Sequence, residues 1–138
     1  MDSDKAGLAI IFHSGSYDRI YHGLSIALAA LALGRDVRLF FTYWALDYLR
    51  KDKPSLFKLD AEAQKQRRVL EKNIERGHIQ KIEELIVQAK SMKAKIYACT
   101  SSMGLLNISR NELIGEVDKS MGITTFLTET AQDQILFI

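Results

Sequence analysis

Two short apolar segments joined by one long helical segment limit the fold of this chain more than any other feature. Residues 8–12 form a continuous apolar run, which is typical of a strand covered on both faces of its sheet. A helix is predicted from about residue 19 to residue 33, and Gly34 follows at a position that favours the left-handed conformation. Residues 37–42 form the next strand. Strand, helix and strand at this spacing predict a parallel βαβ unit with a right-handed crossover.

The remaining sequence continues this alternation. The other predicted helices lie at about residues 43–50, 60–75, 78–92, 101–106 and 110–119. The other predicted strands lie at residues 95–99, 123–127 and 135–138. Asn107 is expected in the left-handed conformation, and Ser109 with Glu112 is expected to form a capping box. The expected fold class is therefore α/β: a three-layer α/β/α sandwich with a Rossmann-like, mostly parallel sheet of about five strands, in a single domain over residues 1–138.

The composition excludes several classes of function. A net charge of +2 on 138 residues is too small for a dedicated nucleic-acid surface, so no nucleic-acid partner is expected. The most apolar stretch, residues 23–34, is shorter than the roughly 20 residues that cross a bilayer, and the polar start lacks a signal-peptide pattern. A cytoplasmic protein without a membrane partner is therefore expected. Phosphate-binding glycine motifs and metal-ligand spacings are missing from the sequence, so we expect neither a cofactor nor a metal.

Cys99, the only cysteine, is the main candidate for chemistry. It ends the predicted strand at residues 95–99, and the small polar residues 100–104 follow, which can turn and begin a helix. In an open parallel sheet, ligands gather beyond the carboxyl ends of the strands, and the N–H groups of a helix start can stabilise a thiolate there. The placement of Cys99 is equally consistent with a small apolar residue of the core, a role that free cysteines often have.

Other candidates lie where further strands are predicted to end. The hydroxyl groups of the serines and threonines in these loops, with the close backbone approach that Gly15 permits, can bind an anion or a polarised sulfur atom. Serines and threonines at such positions also commonly do no more than cap helices. His13 can lower the pKa of the Cys99 thiol if their two strands are neighbours. Tyr43 and Trp44 follow a predicted strand that is rich in aromatic residues. At this position they either pack in the core or line a pocket or an interface. The expected pocket comprises His13, Ser14, Gly15, Tyr43, Trp44, Thr100, Ser101 and Ser102, with Ser16, Thr128 and Glu129 also expected at this edge.

Two segments predict contacts with other molecules. The helix at residues 24–33 is apolar nearly all round, so its outer side is expected to be buried against another copy of the chain. Residues 60–75 are strongly charged with only a thin apolar stripe, which indicates weak docking, a flexible flap or burial against another subunit. The basic run at residues 65–68 is most simply a solvated helix face.

The order and spacing of four segments resemble the DsrE/DsrF-like sulfur-relay family, in its DsrE-like or peroxiredoxin-family-like branch. The segments are residues 11–18, 39–46, 96–103 and 124–127 with 136–138. The resemblance runs nearly end to end and implies a Rossmann-like domain that forms oligomers. It also implies that a cysteine at the position of Cys99 accepts sulfane sulfur as a persulfide and passes it on.

The chain departs from the pattern of this branch in a few places. Residues 51–76 form a charged helical segment where relatives often have a loop rich in glycine and methionine. Ser101 stands where methionine is usual, Asn107 replaces a glycine, and His13 stands where an apolar or small residue is usual. None of these departures alters Cys99.

Two functions follow from this reasoning, with a weaker third. The first is a sulfur carrier, or sulfurtransferase-like enzyme, that exchanges sulfur on Cys99 with donor and acceptor proteins. The second is a non-catalytic oligomeric scaffold or binding subunit with a buried, inert Cys99. A thiol peroxidase is less favoured, because the sequence has no resolving cysteine.

Overall fold

The protein is built on a five-stranded sheet in which every strand pairs in parallel with its neighbours. A computed structural model describes residues 5–52, 57–77 and 79–138. The strands are β1 (Leu8–Phe12), β2 (Val37–Phe41), β3 (Lys95–Cys99), β4 (Lys119–Met121) and β5 (Gln134–Phe137). Their order across the sheet is β4-β3-β2-β1-β5. The predicted mostly parallel sheet of about five strands is confirmed.

Helices cover both faces of this sheet. The α-helices are α1 (Tyr17–Ala32), α2 (Ala61–Gln64), α3 (Arg67–Glu75), α4 (Ile82–Ser91), α5 (Thr100–Leu105) and α6 (Ile123–Glu129). Two 3-10 helices lie at Tyr43–Leu49 and Arg110–Glu112. The left-handed residues Gly34, with φ of 84°, and Asn107, with φ of 56°, are found where the sequence predicts them.

The order of the strands explains how the helices divide between the faces. From β1 to β4 the chain steps in one direction across the sheet, and β5 then returns to the far side of β1. Because crossovers between parallel strands are right-handed, this reversal puts α6 on the face opposite α1. The first face packs α1 and α4 over residues such as Ile10 and Leu39. On the second face, the Phe126 ring of α6 stacks on Phe40, with ring centroids 4.5 Å apart.

Two neighbouring elements near the end of the chain differ from the prediction. The helix predicted at residues 110–119 is one 3-10 turn, and the strand predicted at 123–127 is the helix α6. The capping box of Ser109 and Glu112 does form, but Leu113 then bridges to Arg50, and the Ile114 N–H donates to the Leu49 carbonyl at 2.8 Å. These tertiary pairings end the helix early, and the chain reaches the sheet at β4 instead.

The charged segment predicted as one helix at residues 60–75 forms two helices, because residues 65–66 separate α2 from α3. No residue of Arg67–Glu75 is buried. The Arg67 guanidinium lies 5.1 Å from the centre of the Phe57 ring and forms an ion pair with Glu71 at 2.7 Å. Phe57 and Ile74 are the partly buried residues through which this segment packs on the first-face core, together with Leu59. The predicted start of the next helix at His78 lies outside the described residues, and α4 begins at Ile82.

Candidate functional site

All five strands point the same way, so the loops that follow them meet at the carboxyl edge of the sheet. The loops at residues 13–16, 42–44 and 99–102 follow β1, β2 and β3 and therefore lie along this edge. Thr128 and Glu129 do not lie there. They end α6, which runs back across the sheet, and Arg38 near the start of β2 donates to the Glu129 carbonyl at 3.1 Å. Their predicted place at the carboxyl edge was wrong because residues 123–127 are a helix and not a strand.

Cys99 is the last residue of β3, and its register partner is Met121 of β4. Its side chain points to the second face, where it joins an apolar cluster with Tyr97, Met121 and Phe126. It is a free thiol with an exposed fraction of 6%. Its backbone also caps the start of α5. Cys99 therefore has both features that the sequence left open: it stands at a strand end beside a helix start, and it is packed among apolar side chains.

His13 lies away from the thiol. It follows β1, and β2 lies between β1 and β3, so the condition for a pair of His13 and Cys99 on adjacent strands is not met. Neighbouring strands are about 4.8 Å apart, which separates the two strands by about 10 Å. The His13 ring instead contacts Tyr43 and Phe137, with ring centroids 4.8 Å and 5.8 Å away.

The serines of the loop after β1 make hydrogen bonds that stabilise the conformation of this loop. The Ser14 hydroxyl accepts a hydrogen bond from the Ser16 N–H at 3.0 Å, and the Ser16 hydroxyl accepts one from the Asp60 N–H at 2.9 Å and donates to Asp18. The Ser14 bond is that of a turn residue, whereas the Ser16 hydroxyl makes no cap hydrogen bond to α1 and instead ties this loop to Asp60. Sequence reasoning missed Asp60, because its contact with this loop spans 44 positions of the chain.

Gly15 and Trp44 come into close contact at the same edge. A Cβ atom on Gly15 would lie 2.9 Å from the Trp44 Cβ, so only glycine fits this approach. Tyr43 has φ of 44°, an uncommon conformation for an aromatic residue, and it turns the chain out of β2. Trp44 has an exposed fraction of 53% and lines an open cavity of about 300 Å³ with Gly15, Ser16, Lys58, Leu59 and Asp60. Trp44 thus belongs to a pocket wall rather than to the core.

The three hydroxyl residues after Cys99 differ in their surroundings. Thr100 and Ser101 are exposed, whereas Ser102 is fully buried. Within the part of the chain that the structure describes, the Ser102 hydroxyl has no hydrogen-bond partner. Ser120 on β4 carries a second buried hydroxyl of this kind. A buried unpaired hydroxyl costs about 1–3 kcal/mol, so its presence within one helical turn of Cys99 needs an explanation.

The connections after β3 and β4 leave the sheet in opposite directions. After β3, α5 turns toward the first face, where its Met103 joins the core. After β4, α6 packs on the second face through Phe126. In open α/β sheets ligands gather near such switch points between adjacent parallel strands, and this one follows Cys99 and Met121. A Cβ atom on Gly122 would lie 3.8 Å from the Thr100 hydroxyl oxygen, so the two loops lie next to each other. The sequence did not predict β4, so it did not predict this switch point.

No group of three or more His, Cys, Asp or Glu residues suited to holding a metal ion occurs within residues 5–52, 57–77 and 79–138. Over the same ranges, none of the helices combines the length and apolarity needed to span a membrane.

Comparison with known proteins identifies the family. The model of the DsrE/DsrF/DrsH-like family matches residues 4–66 and 56–138. The chain belongs to this family. The match includes every strand of the sheet, so the resemblance carried by the four sequence segments is confirmed for the whole DsrE-like domain.

The relatives share the domain but carry little functional information. The chain is 27% identical to the uncharacterised protein YrkE of Bacillus subtilis, in an alignment that covers 94% of each chain. It is similar in structure to YchN of E. coli, with a TM-score of 0.69 and 16% identity over 97% of this chain and all of that one. MTH1491 of Methanobacterium thermoautotrophicum, a protein of unknown function, has a TM-score of 0.60 and 14% identity over the same shares. These structures support the DsrE-like fold alone.

Proposed function

We propose that this DsrE-like protein is a sulfur carrier that accepts sulfane sulfur as a persulfide on Cys99 and passes it to a partner. The observation that carries the proposal is the position of the free thiol at the carboxyl end of β3, beside the start of α5 and next to the end of β4. The thiolate is the form of a cysteine that attacks a donor sulfur. A reducing cytoplasm, in which free thiols persist, is the compartment that suits this role.

The reaction needs no oxidant and no cofactor. The Cys99 thiolate attacks the outer sulfur of a donor persulfide, the bond between the two donor sulfurs breaks, and the donor leaves as a thiolate with that electron pair. Cys99 then carries the transferred sulfur. An acceptor thiolate attacks the same outer sulfur, and Cys99 leaves as a thiolate. Donor and acceptor are expected to be thiol proteins or small thiols.

Mass spectrometry of the intact protein tests the proposal. The protein is incubated with a small persulfide donor and analysed without reductant, and a mass increase of one sulfur atom that maps to Cys99 is expected. The Cys99→Ser variant is the matched control, since it keeps the size of the side chain and lacks the thiol. If the wild-type protein gains no sulfur under conditions that load a known carrier, the proposal is wrong.

The low exposure of Cys99 favours a second candidate function. With an exposed fraction of 6%, the thiol resembles a packed core residue, as in an oligomeric scaffold or binding subunit. Alkylation in the native state separates the two functions. Rapid modification of native Cys99 supports the carrier, whereas modification only after unfolding supports the scaffold.

We also propose that the protein forms homo-oligomers, through the second face of the sheet rather than through α1. Most apolar residues of α1 already pack against the core of the same chain. On the second face, Ile11 is only partly buried, and its register partner Phe137 has an exposed fraction of 70%. Parallel sheets normally have both faces covered, so this part of the sheet is the best candidate for a contact with another copy.

A further inference from the structure

We infer that the cavity beside Trp44 binds an uncharged, planar heteroaromatic ring of about the size of a purine base. The inference goes beyond the proposed function, because the cavity is separate from the thiol. Leu59 in the cavity wall packs on the core of the first face, whereas Cys99 belongs to the cluster on the second face. The site therefore does not use the residue that is proposed to carry sulfur.

Three separate segments of the chain form this cavity. Residues 15–16 belong to the loop after β1, Trp44 follows β2, and residues 58–60 precede α2. Backbone hydrogen bonding fixes the third segment to the first helix, since the Tyr17 N–H donates to the Lys58 carbonyl at 2.6 Å. The walls of the cavity are therefore held in place by contacts between distant parts of the chain.

Trp44 gives the cavity an aromatic wall that the protein leaves uncovered. Its side chain is half-exposed, and in the described part of the chain its only ring contact is with Tyr43, at an interplanar angle of 62°. Because no ring of the described residues lies parallel to the indole, a flat ligand can stack on it. Stacking on an indole stabilises any planar base and needs no particular pattern of hydrogen bonds.

The backbone on both sides fixes the position of Trp44. Gly15 is not left-handed, so glycine provides space there: a Cβ atom on it would lie 2.9 Å from the Trp44 Cβ. Tyr43 does have a positive φ, of 44°, and its ring contacts His13. Residues other than glycine keep this conformation only where their surroundings hold them, and such residues cluster at functional sites. The chain thus holds an exposed tryptophan in one place.

The charges at the cavity wall indicate a ligand without a net charge. The Lys58 ammonium pairs with Asp47 at 3.1 Å, and Asp60 pairs with Arg19 at 2.8 Å. Each charged group of the wall already has an opposite charge beside it, which disfavours a phosphate or carboxylate ligand. An ammonium has three donors, so Lys58 can also donate to a ring nitrogen or a carbonyl oxygen.

The size of the cavity favours a single ring system. Its volume of about 300 Å³ lies at the lower end of the range for small-molecule sites. A dinucleotide or another long cofactor would extend beyond it, whereas a purine base has the planar shape, the ring nitrogens and the size that the wall accommodates.

A fluorescence titration tests the site directly, because Trp44 is the only tryptophan of the chain. Adenosine is the probe, and it is expected to quench the fluorescence along a saturable curve with a Kd of about 0.1 mM. Adenosine monophosphate is expected to bind no more tightly than adenosine. Quenching that rises linearly with concentration would overturn the inference, and so would a monophosphate that binds more than about tenfold tighter.

Equilibrium dialysis with adenosine compares variants without relying on the tryptophan signal. Trp44→Ala is expected to weaken binding about tenfold or more, and Trp44→Phe less, because it keeps a ring for stacking. Gly15→Ala is expected to weaken binding by displacing Trp44. Val87→Ala is the matched control, since Val87 has the same exposed fraction as Trp44, 53%, and lines a different cavity on α4. Its binding should equal that of the wild type.

The Trp44 variants keep the test decisive if Gly15→Ala fails to fold, because a half-exposed side chain contributes little to the core. Equal binding by folded Trp44→Ala and the wild type would overturn the inference. Cys99→Ser is expected to bind adenosine as the wild type does. Adenosine binding without sulfur loading would support the site and contradict the carrier function, whereas sulfur loading without saturable binding would do the reverse.

Discussion

Gly23 of α1 packs directly against the ring of Phe12 at the end of β1. A Cβ atom on Gly23 would lie 2.8 Å from the Phe12 Cζ and 2.9 Å from the Ile138 Cδ1, closer than packed atoms allow. This contact holds α1 close to the first face of the sheet, beside the end of β1. The close packing of α1 on β1 therefore depends on a glycine in the middle of a helix.

Gly23→Ala is expected to destabilise the protein by about 1–3 kcal/mol, because the added methyl overpacks the contact between α1 and β1. Intrinsic helix propensity alone predicts the opposite sign, a gain of about 1 kcal/mol. Urea unfolding at constant temperature measures the difference. Gly104→Ala in α5 is the control, since its Cβ would meet nothing within 4 Å and the change should be neutral or stabilising. Equal stability of both variants would contradict the packing argument.

Ser102→Ala is expected to keep or raise the melting temperature, because it removes a buried hydroxyl that has no partner within the described residues. Thermal unfolding measures the change. Ser120→Ala removes the other buried hydroxyl without a partner among these residues and is expected to behave in the same way. A melting temperature that falls in both variants would contradict the cost assigned to these hydroxyls.

Phe137→Asp is expected to shift the protein from oligomer to monomer, because a charge on the open second face opposes burial against another copy. Sedimentation velocity at micromolar concentration gives the distribution. Leu33→Asp is the control at the end of α1, where the side chain has an exposed fraction of 62%. If Leu33→Asp dissociates the oligomer and Phe137→Asp does not, the interface lies on α1, as the sequence predicted. A wild-type protein that is monomeric would refute the proposed oligomer altogether.

Asp118 should make the stability depend on pH in the acid range. Burial raises the pKa of its carboxyl group, but the ion pair with Lys90 and the hydrogen bond from the Ile96 N–H at 2.8 Å outweigh it, so the pKa in the folded protein is below the usual value. The stabilisation is therefore complete above the unfolded pKa of about 4 and is lost as the pH falls through the lower pKa of the folded state.

Asp118→Asn tests this contribution by thermal unfolding between pH 2 and pH 7. The variant is expected to lose about 1–3 kcal/mol at neutral pH, as for hydrogen bonds to charged groups, and less at acid pH. Its difference from the wild type should shrink below about pH 4. A difference that is constant over the whole range would show that the charge of Asp118 does not contribute.

The local sequence was sufficient to predict an element of the fold where one residue pattern dominated the segment. Continuous apolar runs placed β1, β2 and β3 correctly, and the left-handed residues Gly34 and Asn107 lie where their conformations were expected. It was not sufficient between residues 110 and 127. There β-prone Thr124, Thr125 and Phe126 lie in a helix, because Phe126 gains more from stacking on Phe40 than the local preference for a strand is worth.

The candidate site likewise has some features that the local sequence predicts and others that it does not. The sequence by itself determined the α/β class, the family pattern and the place of Cys99 at the end of a strand, since these follow from apolar periodicity and turn residues within short segments. Only the tertiary structure decided that β2 separates His13 from Cys99 and that the thiol packs beside Met121 of β4 and Phe126 of α6. Strand order and the face that each helix covers arise from contacts between distant segments, and local preferences do not encode those contacts.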